Sequence, residues 1–374
     1  MKRIYADNAA TTPINFDAMI EMINTMNMIP SNPSSAYEEG RKAKEKLEEC
    51  RARCAKCLDC EPNEIIFTSG ATEGNETIRN LSKSYISSNI EHPSALAKEN
   101  AYLFNVDTNG IACLPFSLNI FPNDATVSVM TANNEIGTIQ PVRQTVDVSV
   151  CQRLGSTKRI FFHTDATAAV GHIPVSFREL GVDFLTCSAH KFHGPRGVGI
   201  LIVRNGTKFT PLLTGGKQER GMRAGTENLP GIAGMTIALE YATTHLHENA
   251  EKVSKMRDKL MEGLLSIPGS YLNGDAVSRL PGNVNVSFDG IEGESLLTLL
   301  DAKGIAASAG SACHTGTTEP SHVLLAIGRT REQALSALRL TIDETNTDEE
   351  IEYIIKAVRE SVEYLRKFTP NQTK

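Results

Sequence analysis

The sequence predicts an α/β protein: a largely parallel sheet with one or two antiparallel members and helices on both faces, joined to a smaller α+β domain. Three observations carry this expectation. Short apolar runs at Ile65-Phe67, Tyr102-Val106, Thr126-Thr131, Ile160-His163, Phe184-Cys187 and Val198-Val203 alternate with helical patterns, and such βα alternation builds a parallel sheet covered on both sides. Several of these runs end in polar residues, as in open α/β sheets whose ligands sit beyond the carboxyl ends of the strands. With 374 residues, 40% hydrophobic and 22% charged, the chain is long enough for a large core and two domains.

Along the chain, Phe16, Met19, Ile20 and Ile23 recur at helical spacing and mark an early helix. A second, amphipathic helix runs from Tyr37 with Ala43, Leu47, Cys50, Cys54 and Cys57 as its apolar stripe. Cys50, Cys54, Cys57 and Cys60 cluster there; a metal or cluster site is the alternative, but cysteine is a common small buried residue and packing is the simpler account. Around position 245 the polar His245-Leu246-His247-Glu248-Asn249 separates helical Ile232-Tyr241 from helical Val253-Leu265. This is the expected boundary between a large domain, 15–245, and a small one combining 1–14 with 246–374. The small domain takes in strand Val284-Phe288, helix Glu294-Asp301 and a terminal helix opened by Asp348-Glu349-Glu350, whose acidic first turn suits the helix dipole.

Three strand ends carry complementary chemistry. Ser188-Ala189-His190-Lys191 follows the run Val182-Asp183-Phe184-Leu185, where a lysine is a candidate Schiff-base residue for a carbonyl cofactor, pyridoxal phosphate being the usual one. Ile160-Phe161-Phe162-His163-Thr164-Asp165 ends in a carboxylate that can pair with a protonated pyridine nitrogen. Ile65-Ile66-Phe67-Thr68-Ser69-Gly70-Ala71-Thr72 supplies a strand, a glycine turn and a hydroxyl at a helix start, a cradle for phosphate. Taken singly, these are also a solvated turn lysine, a helix-capping aspartate and a common turn. Together they are far more specific.

These residues lie in a longer series of motifs: Tyr5-Ala6-Asp7-Asn8-Ala9-Ala10-Thr11-Thr12-Pro13, Asn32-Pro33-Ser34-Ser35, Gly70-Ala71-Thr72-Glu73, Glu91-His92, Asn133-Asn134-Glu135-Ile136-Gly137, His163-Thr164-Asp165-Ala166, Ser188-Ala189-His190-Lys191, Arg223-Ala224-Gly225-Thr226-Glu227-Asn228 and Ser308-Ala309-Gly310-Ser311-Ala312-Cys313. Over nearly the whole chain the sequence resembles the cysteine desulfurases of NifS/IscS type, within the class V aminotransferase family of pyridoxal phosphate enzymes. The resemblance implies the fold type I architecture of such transferases, with a seven-stranded-type sheet. It implies that Lys191 binds the cofactor and moves the substrate α-proton, that His92 stacks on the ring, that Asp165 meets the ring nitrogen and that Asn134 approaches the phenolic oxygen. Ala71, Thr72, Ser188 and His190 would hold the phosphate, with Thr226 reaching the phosphate of the partner subunit in a homodimer. Arg339 would clamp the substrate carboxylate, assisted by Asn32, because a planar guanidinium matches a carboxylate with two parallel hydrogen bonds.

Cys313 separates sulfur chemistry from transamination. It sits in the small, polar stretch from Ser308 to Thr318, where a mobile loop would let its thiolate attack substrate sulfur at the cofactor and carry a persulfide away. An inert buried thiol is the alternative, and a Gly/Ser/Thr loop is the wrong setting for one. By resemblance the reaction converts L-cysteine to L-alanine and hands sulfur to an acceptor protein, an iron-sulfur scaffold or a thiolation protein. Selenocysteine lyase is the alternative activity, and a weakly catalytic cofactor-binding partner in sulfur transfer is a second. Two features depart from the family pattern. Ala168 stands where a glutamine ordinarily donates to the cofactor's phenolic oxygen, a bond worth about 0.5–1.5 kcal/mol when compensated. The His92–Asn134 segment is also shorter than usual and the Asn134–Asp165 segment longer. Tyr37 replaces a frequent histidine, as in selenocysteine lyases.

Composition agrees with this. A net charge of −6 and the lack of a basic cluster with interleaved aromatics argue against a nucleic-acid surface. No apolar run reaches the ~18 residues of a membrane span, and no apolar signal core follows Met1, so a cytoplasmic protein is expected. The eight cysteines then read as thiols rather than a disulfide framework, and no metal ligand set is assigned.

Overall fold

A computed structural model of the chain describes residues 3–82, 84–96, 102–113, 123–152, 160–309 and 319–368. The first half runs β1 (Ile4–Tyr5), α1 (Phe16–Met28), α2 (Glu38–Leu58), β2 (Ile65–Thr68), α3 (Ala71–Arg79), β3 (Tyr85–Ser88), β4 (Tyr102–Phe104), β5 (Ala125–Ser128), α4 (Val142–Gln152), β6 (Ile160–Asp165), α5 (Phe177–Leu180), β7 (Phe184–Ser188) and β8 (Gly199–Val203). There follow α6 (Leu229–Thr244), α7 (Leu246–Leu265), β9 (Ser270–Leu272), β10 (Asn283–Phe288), α8 (Gly293–Ala302), β11 (Ile305–Ala306), α9 (His322–Ala326), α10 (Arg331–Leu335), β12 (Ala337–Thr341) and α11 (Asp348–Arg366).

Seven strands form one sheet in the order β2-β8-β7-β6-β5-β3-β4. Its members pair parallel except β8, which runs antiparallel to both β2 and β7. Every residue of β2, β3, β5, β6, β7 and β8 is buried, as expected of strands covered on both faces. Alternation divides them. Ile65 and Phe67 join the core shared with α2 and α6, whereas Ile66 turns to the opposite face with Ile78 of α3. The stripe of α2 enters the first of these cores: Cys50, Cys54 and Cys60 are buried, and Cys57 packs against the same cluster. Burial raises the pKa of all four thiols, so they sit there as small protonated apolar groups.

A second core gathers Val253, Leu260 and Leu264 of α7, Leu296 and Leu300 of α8, and Ile351, Ile354 and Val358 of α11 over the antiparallel sheet β12-β10-β9. Ile4 and Ala6 belong to this core as well, because β1 pairs parallel with β11. The N-terminal segment therefore leaves one core and crosses to the mouth of the other. The terminal helix begins as its sequence suggests, with Thr347 and Glu350 closing a capping box ahead of the acidic first turn. Among the described residues, no helix is long and apolar enough to cross a membrane.

Candidate active site

The ends of β5, β6 and β7 and the start of α3 open into a cavity of about 610 Å³. Ala71, Thr72, His92, Asn134, Asp165, Ser188, His190, Lys191 and Arg339 all line it. Thr226 is exposed and Asn32 half-buried, and neither reaches this cavity. Cys313 lies outside the described residues.

Each wall has a local cause. Gly70 turns from β2 into α3 with φ of 154°, a backbone region that favours glycine, and a β-carbon there would sit 3.4 Å from Ser188 Oγ. Behind it, a β-carbon on Gly199 would come within 2.8 Å of Gly70 Cα, so bare backbone on both strands lets the turn lie against β8. Among the described residues no side chain caps Gly70 at the α3 N-terminus, which leaves its positive dipole end facing the cavity wall formed by Ala71 and Thr72. Lys191 ends the short turn after β7, and its ammonium donates to the carbonyls of Ala9 and, at 3.0 Å, Ala10. His190 beside it is pushed down to about 4, by burial first and then by Lys191 and Arg196, so it is a neutral imidazole.

Asp165 closes β6 and is 4% exposed. Asn75 donates to its Oδ2 at 2.6 Å and the Thr167 amide to its Oδ1 at 2.9 Å. His92 is likewise held below the usual imidazole range, chiefly by burial and against the pull of Asp165. Its Nδ1 accepts from the Ser94 amide at 3.2 Å, which leaves the ring proton on Nε2. Arg339, 1% exposed, donates to Asp7 Oδ1 at 3.0 Å and to the Asn134 carbonyl at 3.3 Å, while its buried Nε has no hydrogen-bond partner among the described residues. Ala168 lines the cavity with a methyl group and brings no hydrogen-bonding side chain.

Sequence reasoning missed Asn75 and the role of Asp7. Asn75 lies one helical turn beyond Ala71, on the same face of α3, so the i, i+4 relation was the signal available for it. Asp7 was visible only as part of an N-terminal motif.

The model of the class-V aminotransferases matches residues 4–354. The chain belongs to the class-V aminotransferase family. It is 43% identical over 387 residues to a protein of Methanosarcina thermophila named cysteine desulfurase IscS, spanning 99% of this chain and 94% of that protein. A solved structure titled NifS-like protein superposes with a TM-score of 0.87 at 36% identity, covering 97% of this chain and 100% of that one. Another, titled SspA in complex with cysteine, gives 0.75 at 27% identity over 91% and 98%. The fold is thus that of the NifS-like enzymes, and this class-V aminotransferase works with pyridoxal 5'-phosphate. Its residues fit that cofactor. An uncapped helix start with Thr72, Ser188 and His190 beside it suits the phosphate, a buried aspartate suits the ring nitrogen, and a lysine amine on the same cavity wall suits the aldehyde.

Proposed function

We propose that the protein is a cysteine desulfurase, which removes sulfur from L-cysteine, leaves L-alanine, and holds the sulfur as a persulfide on Cys313. The observation that carries this is the meeting of Lys191, Asp165, the α3 N-terminus and Arg339 around one cavity, in a chain 43% identical to a named cysteine desulfurase over almost its full length.

Bound in the cavity, the cofactor supplies an aldehyde to hold the substrate amine and a ring to store the electron pair released at the α-carbon. Lys191 takes the α-proton. Arg339 would orient the substrate carboxylate, and Asp165 would hold the ring nitrogen in its protonated form. Cys313 as thiolate attacks the substrate sulfur: a sulfur–sulfur bond forms, the carbon–sulfur bond breaks, and the carbon keeps that electron pair and takes up a proton to leave as alanine. The persulfide then passes to an acceptor protein, for which an iron-sulfur scaffold or a thiolation protein is the proposed class.

The working unit we propose is a homodimer. Phe16, Ile23 and Met26 present a 67%, 45% and 60% exposed apolar stripe on α1, more than a lone scattered residue would explain. Thr226 stands exposed away from its own chain's cavity, as a residue serving a partner's phosphate would. The test is to incubate the cofactor-loaded protein with L-cysteine and a thiol reductant. Alanine and sulfide in equal amounts, both lost in Cys313→Ala, are expected. Keto-acid product unaffected by that substitution would overturn the proposal in favour of transamination.

A further inference from the structure

Three ligand-type atoms from two separate segments converge beside the Lys191 turn without bonding to one another. His193 lies two residues past Lys191, and Asp343 and Glu344 form the turn between β12 and α11. His193 Nε2 is 3.7 Å from Asp343 Oδ2 and 3.9 Å from Glu344 Oε1, and all three atoms lie within 4.8 Å of one another.

The protonation of the ring follows from its other nitrogen. His193 Nδ1 meets the carbonyl of Pro13 at 2.9 Å; a carbonyl only accepts, so Nδ1 carries the proton and the neutral ring turns the Nε2 lone pair toward the two carboxylates. That Nε2 is buried and has no hydrogen-bond partner among the described residues. The Asp343 side chain is 3% exposed, and its Oδ1 accepts from the Thr345 amide at 2.8 Å and hydroxyl at 2.6 Å while Oδ2 faces the imidazole. Glu344, 20% exposed, gives the group a route to solvent. The ammonium of Lys252 donates to the Glu344 backbone carbonyl rather than to either carboxylate.

An imidazole lone pair and two carboxylates facing one another inside a protein repel unless a cation lies among them. A histidinium would attract both carboxylates at these separations, yet 3.7 and 3.9 Å leave its buried Nε2–H without a hydrogen bond, whereas an ion bonded to all three groups would satisfy them. Donors held at about 2.0–2.2 Å in a tetrahedral shell stand roughly 3.3–3.6 Å apart, so the two His193 separations of 3.7 and 3.9 Å need only close slightly around an ion. We propose that His193, Asp343 and Glu344 bind a first-row divalent metal ion, with water completing its shell. One imidazole with two carboxylates suits Zn²⁺ or Mn²⁺, and the Nδ1–H bond to the Pro13 carbonyl is the outer contact that orients a metal-ligating histidine. The ion ties the turn carrying Lys191 to the segment four residues past Arg339, across the two cores.

The experiment uses the full chain, cofactor-loaded and with accessible thiols alkylated, stripped by chelator and dialysed against Mn²⁺ or Zn²⁺ alone. One ion retained per chain is expected, with affinity weakened about tenfold or more in His193→Gln and Glu344→Gln, and unchanged in Asp348→Asn on the neighbouring helix. Glu344→Gln, at a part-exposed position, guards against loss of fold in the histidine variant, and its thermal midpoint should stop responding to the metal. Retention of neither metal, or equal retention in wild type and both ligand variants, overturns the site.

Discussion

Asn75 donates to Asp165 Oδ2 across 2.6 Å and, with its second proton, to Ser94 Oγ across 2.9 Å. Its carbonyl accepts from the Thr186 hydroxyl at 2.7 Å, which uses that hydroxyl's only proton. His163 Nε2 must then donate to Thr186, and His163 Nδ1 accepts from Ser128 at 2.8 Å. His163 is a neutral ring, consistent with burial holding it well below the usual imidazole range. A directed chain of side chains, starting at Ser128 on β5 and passing through His163, two residues before Asp165, thus orients that carboxylate.

Removing Asn75 should loosen that carboxylate. A hydrogen bond to a charged group contributes about 1.5–3 kcal/mol, so Asn75→Ala is expected to weaken pyridoxal phosphate roughly tenfold to a hundredfold. Asn75→Asp should be worse, since it sets a second carboxylate against Asp165. Titration of stripped protein with the cofactor, followed by absorbance, measures both. Unchanged affinity in the two variants would remove Asn75 from the site's support.

Glu91 makes the stability depend on pH. Its carboxyl is wholly buried and pushed up to about 8 by desolvation, against bonds from Ser88 Oγ at 2.5 Å and the Met130 amide at 3.0 Å. Its folded pKa lies above the ordinary 4.5, so the unfolded chain gives up this proton first as pH rises. The stabilising contribution is complete below about 4.5 and fades until the folded group titrates near 8. Glu91→Gln cannot titrate and should gain on wild type between pH 5 and pH 9 in urea unfolding. A difference that stays constant over that range would contradict the shift.

Arg51 and Glu219, with side chains 2% and 1% exposed, share two parallel bonds of 2.8 and 2.7 Å, and Glu219 also accepts from the Phe67 amide at 2.9 Å. This pair pins to β2 a turn in which Glu219 and Arg220 adopt positive φ of 44° and 59°. Glu219→Ala leaves the buried Arg51 guanidinium with Glu48 at 3.1 Å and the Ile65 carbonyl at 3.0 Å, and should cost about 3 kcal/mol, the low end for a broken buried pair. The double variant Arg51→Met, Glu219→Leu should lose much less, and equal losses by urea unfolding would argue against a buried-charge penalty.

The strand ends were legible because their chemistry is local: Lys191, Asp165 and Thr72 each follow an apolar run directly. The contacts that support them were not, because they form between residues far apart in the chain, as Asn75 and Asp165 do. Strand β3 is hidden in the sequence because Tyr85-Ile86-Ser87-Ser88 looks half polar. Its serines are buried because Ser87 Oγ donates to the Ser88 carbonyl and Ser88 Oγ to Glu91. The reversed direction of β8 had a signal in the short link from Ser188 to Gly199, too brief for the dozen or so residues that a parallel crossover needs. Helix α1 shows in its spacing, but that pattern does not tell that Phe16 and Ile23 face outward while Ala18 and Thr25 are buried.

Arg339 offers the sharpest test of substrate recognition. Asp7 and the Asn134 carbonyl occupy its two terminal nitrogens, and its buried Nε has no partner among the described residues. An unmet buried donor is costly, and the substrate carboxylate is the acceptor that the proposed reaction brings to it. Lysine keeps the charge but loses the planar fork. Arg339→Lys should therefore raise KM for L-cysteine about tenfold or more, with kcat less affected, the pattern of lost uniform binding. Asp7→Asn should act in the same direction but more weakly, because an amide oxygen can still accept from Arg339 and hold it in place. Steady-state alanine formation across L-cysteine concentrations gives both constants, and an unchanged KM in Arg339→Lys would move the carboxylate clamp to another residue.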